Sequence, residues 1–417
     1  MVLEGGSLMK TKLFKAFIMG CLICFFAISV SAQNWAQWRG SNREGRVSGF
    51  LAPEEWPETL TQKWSTTVGL GDSTPAFVDG KLYVFTSIDN EEMIICLDAS
   101  NGKELWKDSY KAQAVTGPAS RHPGPRSSPA VGDGKVVTIG VGGVISCLEA
   151  GTGKMLWRKD PFPKVVPQYF TAMSPLIVDG MVIAHLGGKD NGAIIAYDLT
   201  TGDQKWQWSE EGPEYASPNL LTVDGTKQIV MLTEKSVVSL EVSSGKLLWQ
   251  IPFIPGQRAY NAATPIIDGQ TVIYTGAGRG TTAVKVEKQG NGFTAKELWS
   301  NSEIGVQFNT PVLKDGHLYG LSNRGNFFCI NSQTGQTAWI DPTQTDRGGF
   351  TSIVDVGSVL LALPSGTGLI VFKPNTKEYA ELARIKVSDT PIYAHPVIVG
   401  NRIFIKDANT LTLWTLN

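Results

Sequence analysis

The sequence predicts an all-β fold, an eight-bladed β-propeller whose ring is closed by an N-terminal strand. Three observations predict it. A short motif ending in tryptophan recurs at intervals of about 40–50 residues, a Ser/Thr-Pro pair opens six of the eight repeats, and the last repeat lacks a strand that the start of the chain can supply. The 45 glycines and 22 prolines agree with many short strands joined by tight turns.

The tryptophan motif places an Asp, Glu or Asn four residues before a glycine and eight before a tryptophan. The acidic or amide side chain can accept hydrogen bonds from the backbone of a turn, and glycine can take the positive φ that closes a hairpin. Tryptophan, with a large apolar area and one N–H, suits a position between neighbouring blades. The tryptophans predicted for this structural role are Trp64, Trp106, Trp157, Trp206, Trp249, Trp299 and Trp339.

The Ser/Thr-Pro marker precedes an apolar strand that runs to an Asp-Gly turn, as in Thr74-Pro75 and Asp79-Gly80. A further strand-like segment follows, and the tryptophan hairpin completes four strands, which is one propeller blade. The fifth unit has an expanded last hairpin over 287–296, and in the degenerate seventh unit 375–377 replaces the usual hairpin.

The eighth unit begins at His395-Pro396 and stops after three strands, the last of them at Leu411–Leu416. The segment Gln62–Val68 has the character of an outer strand without a blade. Pairing these pieces closes the ring and removes an exposed edge. We therefore expect the propeller to span 61–417, with 33–60 as an N-terminal extension.

The first 32 residues are predicted to be a secretory signal. Three lysines precede the apolar run from Ala16 to Val30, and small residues follow up to Ala32, where cleavage is expected. Translation can begin at Met9, since the eight residues before it add nothing to this pattern. A lipid anchor on Cys21 is the alternative, although Cys21 would then lie inside the apolar run. We expect export to the periplasm or cell surface of a Gram-negative-type bacterium, with no transmembrane segment after cleavage.

The sequence does not predict a metal site, a disulfide framework or a catalytic residue. Cys96, Cys147 and Cys329 occupy the same repeat position and are expected to be small core residues, and the four histidines share no metal-ligand spacing. The net charge of -1 gives no electrostatic reason to expect a nucleic-acid partner. We expect a monomer.

The loops that lead into inner strands should gather on one face of the ring, around its central channel. Their candidate binding residues are Asp72, Arg126, Tyr169, Tyr215, Asn261, Asn309, Arg347 and Tyr393, accompanied by Glu214, Tyr260, Phe308 and Phe350. Aromatic side chains beside Arg and Asn suit a peptide, a sugar or a planar ligand. The alternative is that these residues pack the loops and cap strand ends. The segment Lys111–Pro125 is long enough to cover part of the face.

The tryptophan motif resembles that of the pyrroloquinoline quinone (PQQ) repeat propellers, which include quinoprotein alcohol dehydrogenases and BamB-type assembly lipoproteins. Asn34–Gly40 with Gly45, and Gly124–Pro129, are similar to PQQ-binding-like secreted propellers. The resemblance covers 34–417. For the fold it implies the propeller already predicted.

The resemblance leaves three functions open. A PQQ-dependent alcohol or sugar dehydrogenase would hold quinone and calcium near the axis, with carboxylate and Asn ligands and an Asp base; many members also carry a vicinal disulfide. The chain has no Cys-Cys pair, few carboxylates in these loops and compact blades. The favoured hypothesis is a non-catalytic binding or scaffold module for a protein or glycan partner in the cell envelope. A BamB-like outer-membrane assembly factor is the third.

Overall fold

The computed structural model describes residues 34–366 and 368–416. The predicted signal, with Met9 and Cys21, lies outside these residues. Within the described chain the strands form eight four-stranded antiparallel sheets, and one short 3₁₀ helix, Gly117–Arg121, lies in a connecting loop. No helix in this part of the chain has the length and apolar character needed to cross a bilayer.

The first half of the ring consists of a separate outer strand and four complete blades. The outer strand is β1 (Thr61–Thr67). The blades are β2 (Ala76–Val78), β3 (Lys81–Ile88), β4 (Glu91–Asp98) and β5 (Glu104–Lys111); β6 (Ala130–Gly132), β7 (Lys135–Ile139), β8 (Ile145–Glu149) and β9 (Met155–Lys159); β10 (Leu176–Val178), β11 (Met181–Gly188), β12 (Asn191–Asp198) and β13 (Gln204–Trp208); and β14 (Asn219–Val223), β15 (Thr226–Leu232), β16 (Ser236–Glu241) and β17 (Leu247–Pro252).

The second half contains three complete blades and one that needs β1. These are β18 (Ile266–Asp268), β19 (Thr271–Gly276), β20 (Gly280–Gln289) and β21 (Gly292–Asn301); β22 (Val312–Lys314), β23 (His317–Leu321), β24 (Asn326–Asn331) and β25 (Thr337–Gln344); β26 (Thr351–Asp355), β27 (Leu360–Pro364), β28 (Gly368–Lys373) and β29 (Ala380–Lys386); and β30 (Val397–Val399), β31 (Arg402–Lys406) and β32 (Thr410–Thr415).

The ring closes as the sequence predicts. Strand β1 pairs antiparallel with β32, with Thr61 opposite Thr415 and Thr67 opposite Thr410. The eighth blade therefore combines three C-terminal strands with one N-terminal strand, so neither β1 nor β32 is left without its neighbour. The eight-bladed propeller fold is confirmed.

Each motif tryptophan joins two blades. The Trp106 indole N–H donates to the carbonyl of Ala150 in the next blade at 3.1 Å. A Cβ built on Gly153, whose φ is 75°, would come within 2.4 Å of the Trp106 ring. The motif glycine thus serves both its own turn and the tryptophan of the blade before it. The same indole–carbonyl bond is made by Trp64, Trp157, Trp206, Trp299 and Trp339.

Trp249 is the exception because the blade that follows it carries the expanded hairpin. Its indole donates instead to Gln228 Oε1 of its own blade, at 3.1 Å.

The three cysteines are core residues, as the sequence predicts: all three are free and fully buried. Each lies opposite a motif tryptophan across the strand pair, as Cys147 does with Trp157.

The Ser/Thr of the marker links inner strands around the axis. The Ser174 hydroxyl accepts the backbone N–H of Ser128, and the Ser217 hydroxyl accepts that of Ser174, each at 2.9 Å. Three further bonds of this kind join Thr74 to Ser128, Thr264 to Thr310 and His395 to Thr74. The proline after each Ser/Thr has no N–H to donate. The bond between neighbouring blades is made instead by the backbone N–H and the hydroxyl of the Ser/Thr itself.

The described part of the N-terminal extension lies across the axis of the ring. We call residues 34–47 the axial plug. It begins with a β-bridge between Trp35 and Phe77 of the first blade and ends with one between Arg46 and Asp355 of the seventh. Between these points the Trp38 indole donates to Thr264 Oγ1 of the fifth blade at 2.9 Å.

Two buried arginines anchor the axial plug. Arg39 donates to the carbonyls of Thr310 and Pro311, and Arg43 donates to those of Pro175 and Pro218. Both side chains are 2% exposed, and their burial lowers the pKa of each guanidinium to about 9. The plug therefore bonds to inner strands of blades across the whole ring and is part of its packing.

Candidate functional site on the loop face

The loops from each outer strand to the next inner strand lie on one side of the ring, which we call the loop face. Seven of them contribute an aromatic ring, and neighbouring rings touch. We call this set the aromatic belt; its members are His122, Tyr169, Tyr215, Tyr260, Phe308, Phe350 and Tyr393.

The contacts run from one loop to the next. Phe308 and Phe350 stack with centroids 4.4 Å apart, Phe350 meets Tyr393 at 5.3 Å, and Tyr393 meets His122 at 4.7 Å. In the other direction Phe308 lies 6.4 Å from Tyr260. Edge-to-face and offset contacts of this kind stabilise aromatic groups that would otherwise be exposed singly.

Three tyrosines form the opposite part of the belt. The Tyr260 hydroxyl donates to the Tyr169 hydroxyl, and the Tyr215 hydroxyl accepts the backbone N–H of Tyr169, both at 3.1 Å. Burial raises the pKa of Tyr260 to about 12, with a further contribution from its bond to Tyr169, and burial also raises the pKa of Tyr215. At neutral pH these hydroxyls are neutral and able to donate.

A polar corner interrupts the belt where the first loop meets the second. Asp72 Oδ2 lies 2.7 Å from His122 Nδ1. Arg126 Nη2 donates to the carbonyls of Ala119 and His122, at 3.2 and 2.7 Å. Arg126 therefore holds down the 3₁₀ segment, and this places the His122 ring between Asp72 and Tyr393.

A buried lysine, Lys406, bonds to the backbone that leads into this polar corner. Lys406 Nζ donates to the carbonyl of Gly71 at 2.5 Å and to those of Gly69 and Asp407 at 3.3 and 3.1 Å. Burial lowers the pKa of Lys406 to about 8. These bonds fix the chain that leads to Asp72.

Glu214 lies beside the tyrosines with one buried carboxylate oxygen, Oε2, that has no hydrogen-bond partner within the described residues. Burial raises the pKa of Glu214 to about 7, against the opposing effects of a backbone N–H at Asn261 and the charge of Arg279. The Arg279 guanidinium stacks 3.9 Å from the Phe253 ring and donates to Asn261 Oδ1 at 2.8 Å.

The structure brings together five of the eight residues predicted from sequence. Asp72, Arg126, Tyr169, Tyr215 and Tyr393 all belong to the belt or its polar corner. Arg347 is exposed on the loop that carries Phe350.

Asn261 and Asn309 have a different position. Both are buried, and their amide groups donate to backbone carbonyls, those of Thr233 and Phe253 for Asn261 and those of Leu321 and Gly349 for Asn309. These bonds hold the loops in place, so we leave Asn261 and Asn309 out of the proposed binding surface.

His122 was not predicted from the sequence as a member of the candidate site. His122 precedes a Pro-Gly-Pro sequence in a long loop, and its bonds to Arg126 and Asp72 bring it to the belt. Tyr260, Phe308 and Phe350 lie within five residues before the marker that opens the next unit, as the predicted residues do, and this position is the signal that identifies them.

The residues near the axis do not fit a calcium-bound quinone. Asp72 is bonded to His122, Asp346 accepts bonds from Ser365 and Gly348, and the two buried Asn amides are used by backbone carbonyls. Within residues 34–366 and 368–416 there is no group of three or more His, Cys, Asp or Glu placed to share a metal ion. Calcium requires several convergent oxygens, and this donor set does not supply them.

Comparison with known sequences gives one family model. The model described as "Outer membrane protein assembly factor BamB" matches residues 119–341, which is more than half of the chain. Among curated proteins, BamB of Burkholderia pseudomallei is 24% identical over 83% of this chain and 85% of its own length. Methanol dehydrogenase subunit 1 of Methylorubrum extorquens is 31% identical over 37% of this chain, and that match spans only 26% of the dehydrogenase.

Solved structures agree on the fold. BamB from Moraxella catarrhalis superposes with a TM-score of 0.65 at 14% identity, covering 86% of this chain and 100% of that one. Quinohemoprotein alcohol dehydrogenase from Comamonas testosteroni gives 0.66 at 16% identity, covering 92% and 80%. At these identities the likeness concerns the fold alone.

Proposed function

The chain belongs to the PQQ-like β-propeller family whose model is described as outer membrane protein assembly factor BamB, and we propose that it is a non-catalytic binding module of the cell envelope. Its loop face binds a protein or glycan partner through the aromatic belt. The protein acts in the periplasm or at the cell surface, in line with the predicted signal and with the description of the matched family as an outer-membrane assembly factor.

One observation carries this proposal: seven loops from seven positions around the ring converge on one continuous set of aromatic rings. Rings of this kind offer large contact area at low conformational cost, which is why aromatic residues concentrate the binding energy of many interfaces. Loops held by a rigid scaffold are also the usual location of recognition sites.

The same face offers little for redox catalysis. Asp72 and Asp346 are bonded to protein groups, and Glu214, which keeps one oxygen unpartnered within the described chain, is a single carboxylate where calcium needs several convergent oxygens. The axial plug bonds to inner strands around the axis. We therefore propose binding without turnover, and we assign no catalytic residue.

The proposal is tested by site-specific photo-crosslinking in intact cells. A photoreactive residue replaces Phe308 in the belt, and a matched one replaces Asp224 in an Asp-Gly turn on the opposite face. We expect a defined crosslinked adduct from position 308 and none from position 224. Adducts only from position 224 would place the interaction on the other face.

A second measurement separates binding from catalysis. The purified protein is mixed with PQQ and calcium, and quinone absorbance and alcohol-dependent dye reduction are followed. We expect neither to change. Stoichiometric quinone binding with alcohol-dependent turnover contradicts the proposal and makes the chain a dehydrogenase.

A further inference from the structure

The aromatic belt has a rim of exposed arginines, a feature separate from the belt itself. Arg121 adjoins His122, Arg258 is two residues from Tyr260, and Arg347 is three residues from Phe350. Arg324 lies in a turn packed against the Phe350 loop, where a Cβ on Gly349 would meet Asn323 at 3.5 Å. We call these four residues the arginine rim.

The rim arginines are exposed charges without a carboxylate partner in the described part of the chain. Several lysines elsewhere on the surface do have one, as in Lys227 with Asp179 and Lys285 with Glu287. Among the described residues none of the four rim arginines forms an ion pair with a carboxylate. Carboxylates close to the belt also occur on the loop face, but Asp72 is bonded to His122, Asp346 to Ser365 and Asp389 to Lys386. The rim arginines therefore remain available to the carboxylates of a partner.

Exposed aliphatic side chains lie on the same face outside the belt. Leu70 and Ile88 are 45% and 38% exposed and adjoin each other, because the backbone of Leu70 pairs with that of Ser87. Ile254 is 65% exposed in the loop before Tyr260. A sugar chain stacks on aromatic rings but gains little from isolated aliphatic groups, whereas a protein surface buries them. These residues favour a protein partner over a glycan.

We infer that the loop face binds an acidic protein segment that carries apolar or aromatic side chains, its carboxylates on the arginine rim and its apolar groups on the belt. This inference rests on the proposed function and specifies its partner class. Guanidinium groups pair well with carboxylates in bidentate geometry, and unpaired charges around a binding site accelerate association with an oppositely charged partner.

The test uses a fluorescent synthetic peptide in which Asp and Glu alternate with Phe and Leu. Three comparison probes are a peptide with Lys in place of the acids, an acidic peptide with Ser in place of Phe and Leu, and polygalacturonate. Binding to the purified mature protein is measured by fluorescence anisotropy, with polygalacturonate as a competitor, at low and high salt. We expect the acidic apolar peptide to bind most tightly and to weaken as salt rises.

Charge reversal provides the matched variants. Arg121→Glu with Arg347→Glu should weaken binding of the acidic apolar peptide at least about tenfold. The control is Lys103→Glu with Lys154→Glu, which changes the charge equally at exposed, unpaired lysines in motif turns on the other face. The control should leave binding unchanged. Equal loss in both pairs, or tighter binding of the Lys peptide or of polygalacturonate, overturns the inference.

The result is distinguishable from failure of the proposed function. If crosslinking from position 308 persists in cells after the rim arginines are reversed, the loop face binds a partner but the acidic class is wrong. If crosslinking from position 308 never occurs, the proposed function itself fails.

Discussion

The indole of Trp106 occupies the space that a side chain on Gly153 would need. A Cβ at that glycine would approach Trp106 Cε3 to 2.4 Å, and the equivalent distance from Gly245 to Trp206 is 2.5 Å. The motif therefore makes contacts between blades: the glycine of one repeat packs against the tryptophan of the repeat before it. One short motif therefore stabilises both its own hairpin and the packing between neighbouring blades.

Gly153→Ala should destabilise the ring strongly. The positive φ alone costs about 1–3 kcal/mol for a non-glycine residue, and the contact with Trp106 adds to that. Gly151→Ala is the control, since it lies in the same turn with nothing within 4 Å of its Cβ. It should change the free energy of unfolding by no more than about 0.5 kcal/mol. Urea unfolding measures both, and equal effects would refute the packing argument.

Arg43→Met should weaken the axial plug. The substitution leaves the carbonyls of Pro175 and Pro218 without their guanidinium donor, and each buried unpaired group costs about 1–3 kcal/mol. Arg324→Met, at an exposed arginine, should have almost no effect on stability. Thermal unfolding of both variants gives the comparison; an unchanged midpoint in Arg43→Met would mean that the plug is not part of the stable fold.

Glu214 should make stability fall as pH rises. Its pKa is raised from 4.5 to about 7 in the folded protein, so the folded state binds more protons than the unfolded state between these values. Stability contributed by the neutral carboxyl is fully present below pH 4.5 and is lost as pH rises through about 7. Glu214→Gln should remove this dependence and be the more stable protein at pH 8. Unfolding midpoints from pH 4 to 8 decide it, and parallel profiles would exclude Glu214 as the source.

The buried thiols give a check on packing and on export together. Burial raises the pKa of Cys96 and Cys329 to about 11 and that of Cys147 to about 12, so none should react with a thiol reagent in the native protein. In denaturant we expect three reactive thiols if the predicted signal has been removed and five if Cys21 and Cys24 remain. Fast reaction of any thiol under native conditions would contradict the core assignment.

The sequence by itself determined the propeller, its blade count and its closure. Repeat spacing is local information: most of the motif hairpins carry their own glycine and six inner strands their own Ser/Thr-Pro, and the pairing of β1 with β32 satisfies both edges. It also identified the face on which to look, because loops into inner strands share one side of any propeller.

Only the tertiary structure decided which loop residues lie together in the candidate site. Asn261 and Tyr260 are adjacent in the chain. The Asn261 amide is nevertheless buried and bonded to backbone, whereas the Tyr260 ring belongs to the belt. His122 reaches the belt through its bonds to Arg126 and Asp72, and Arg39 and Arg43 are buried near the axis because carbonyls from distant blades converge there. These positions depend on contacts between residues far apart in sequence, and no local pattern encodes them.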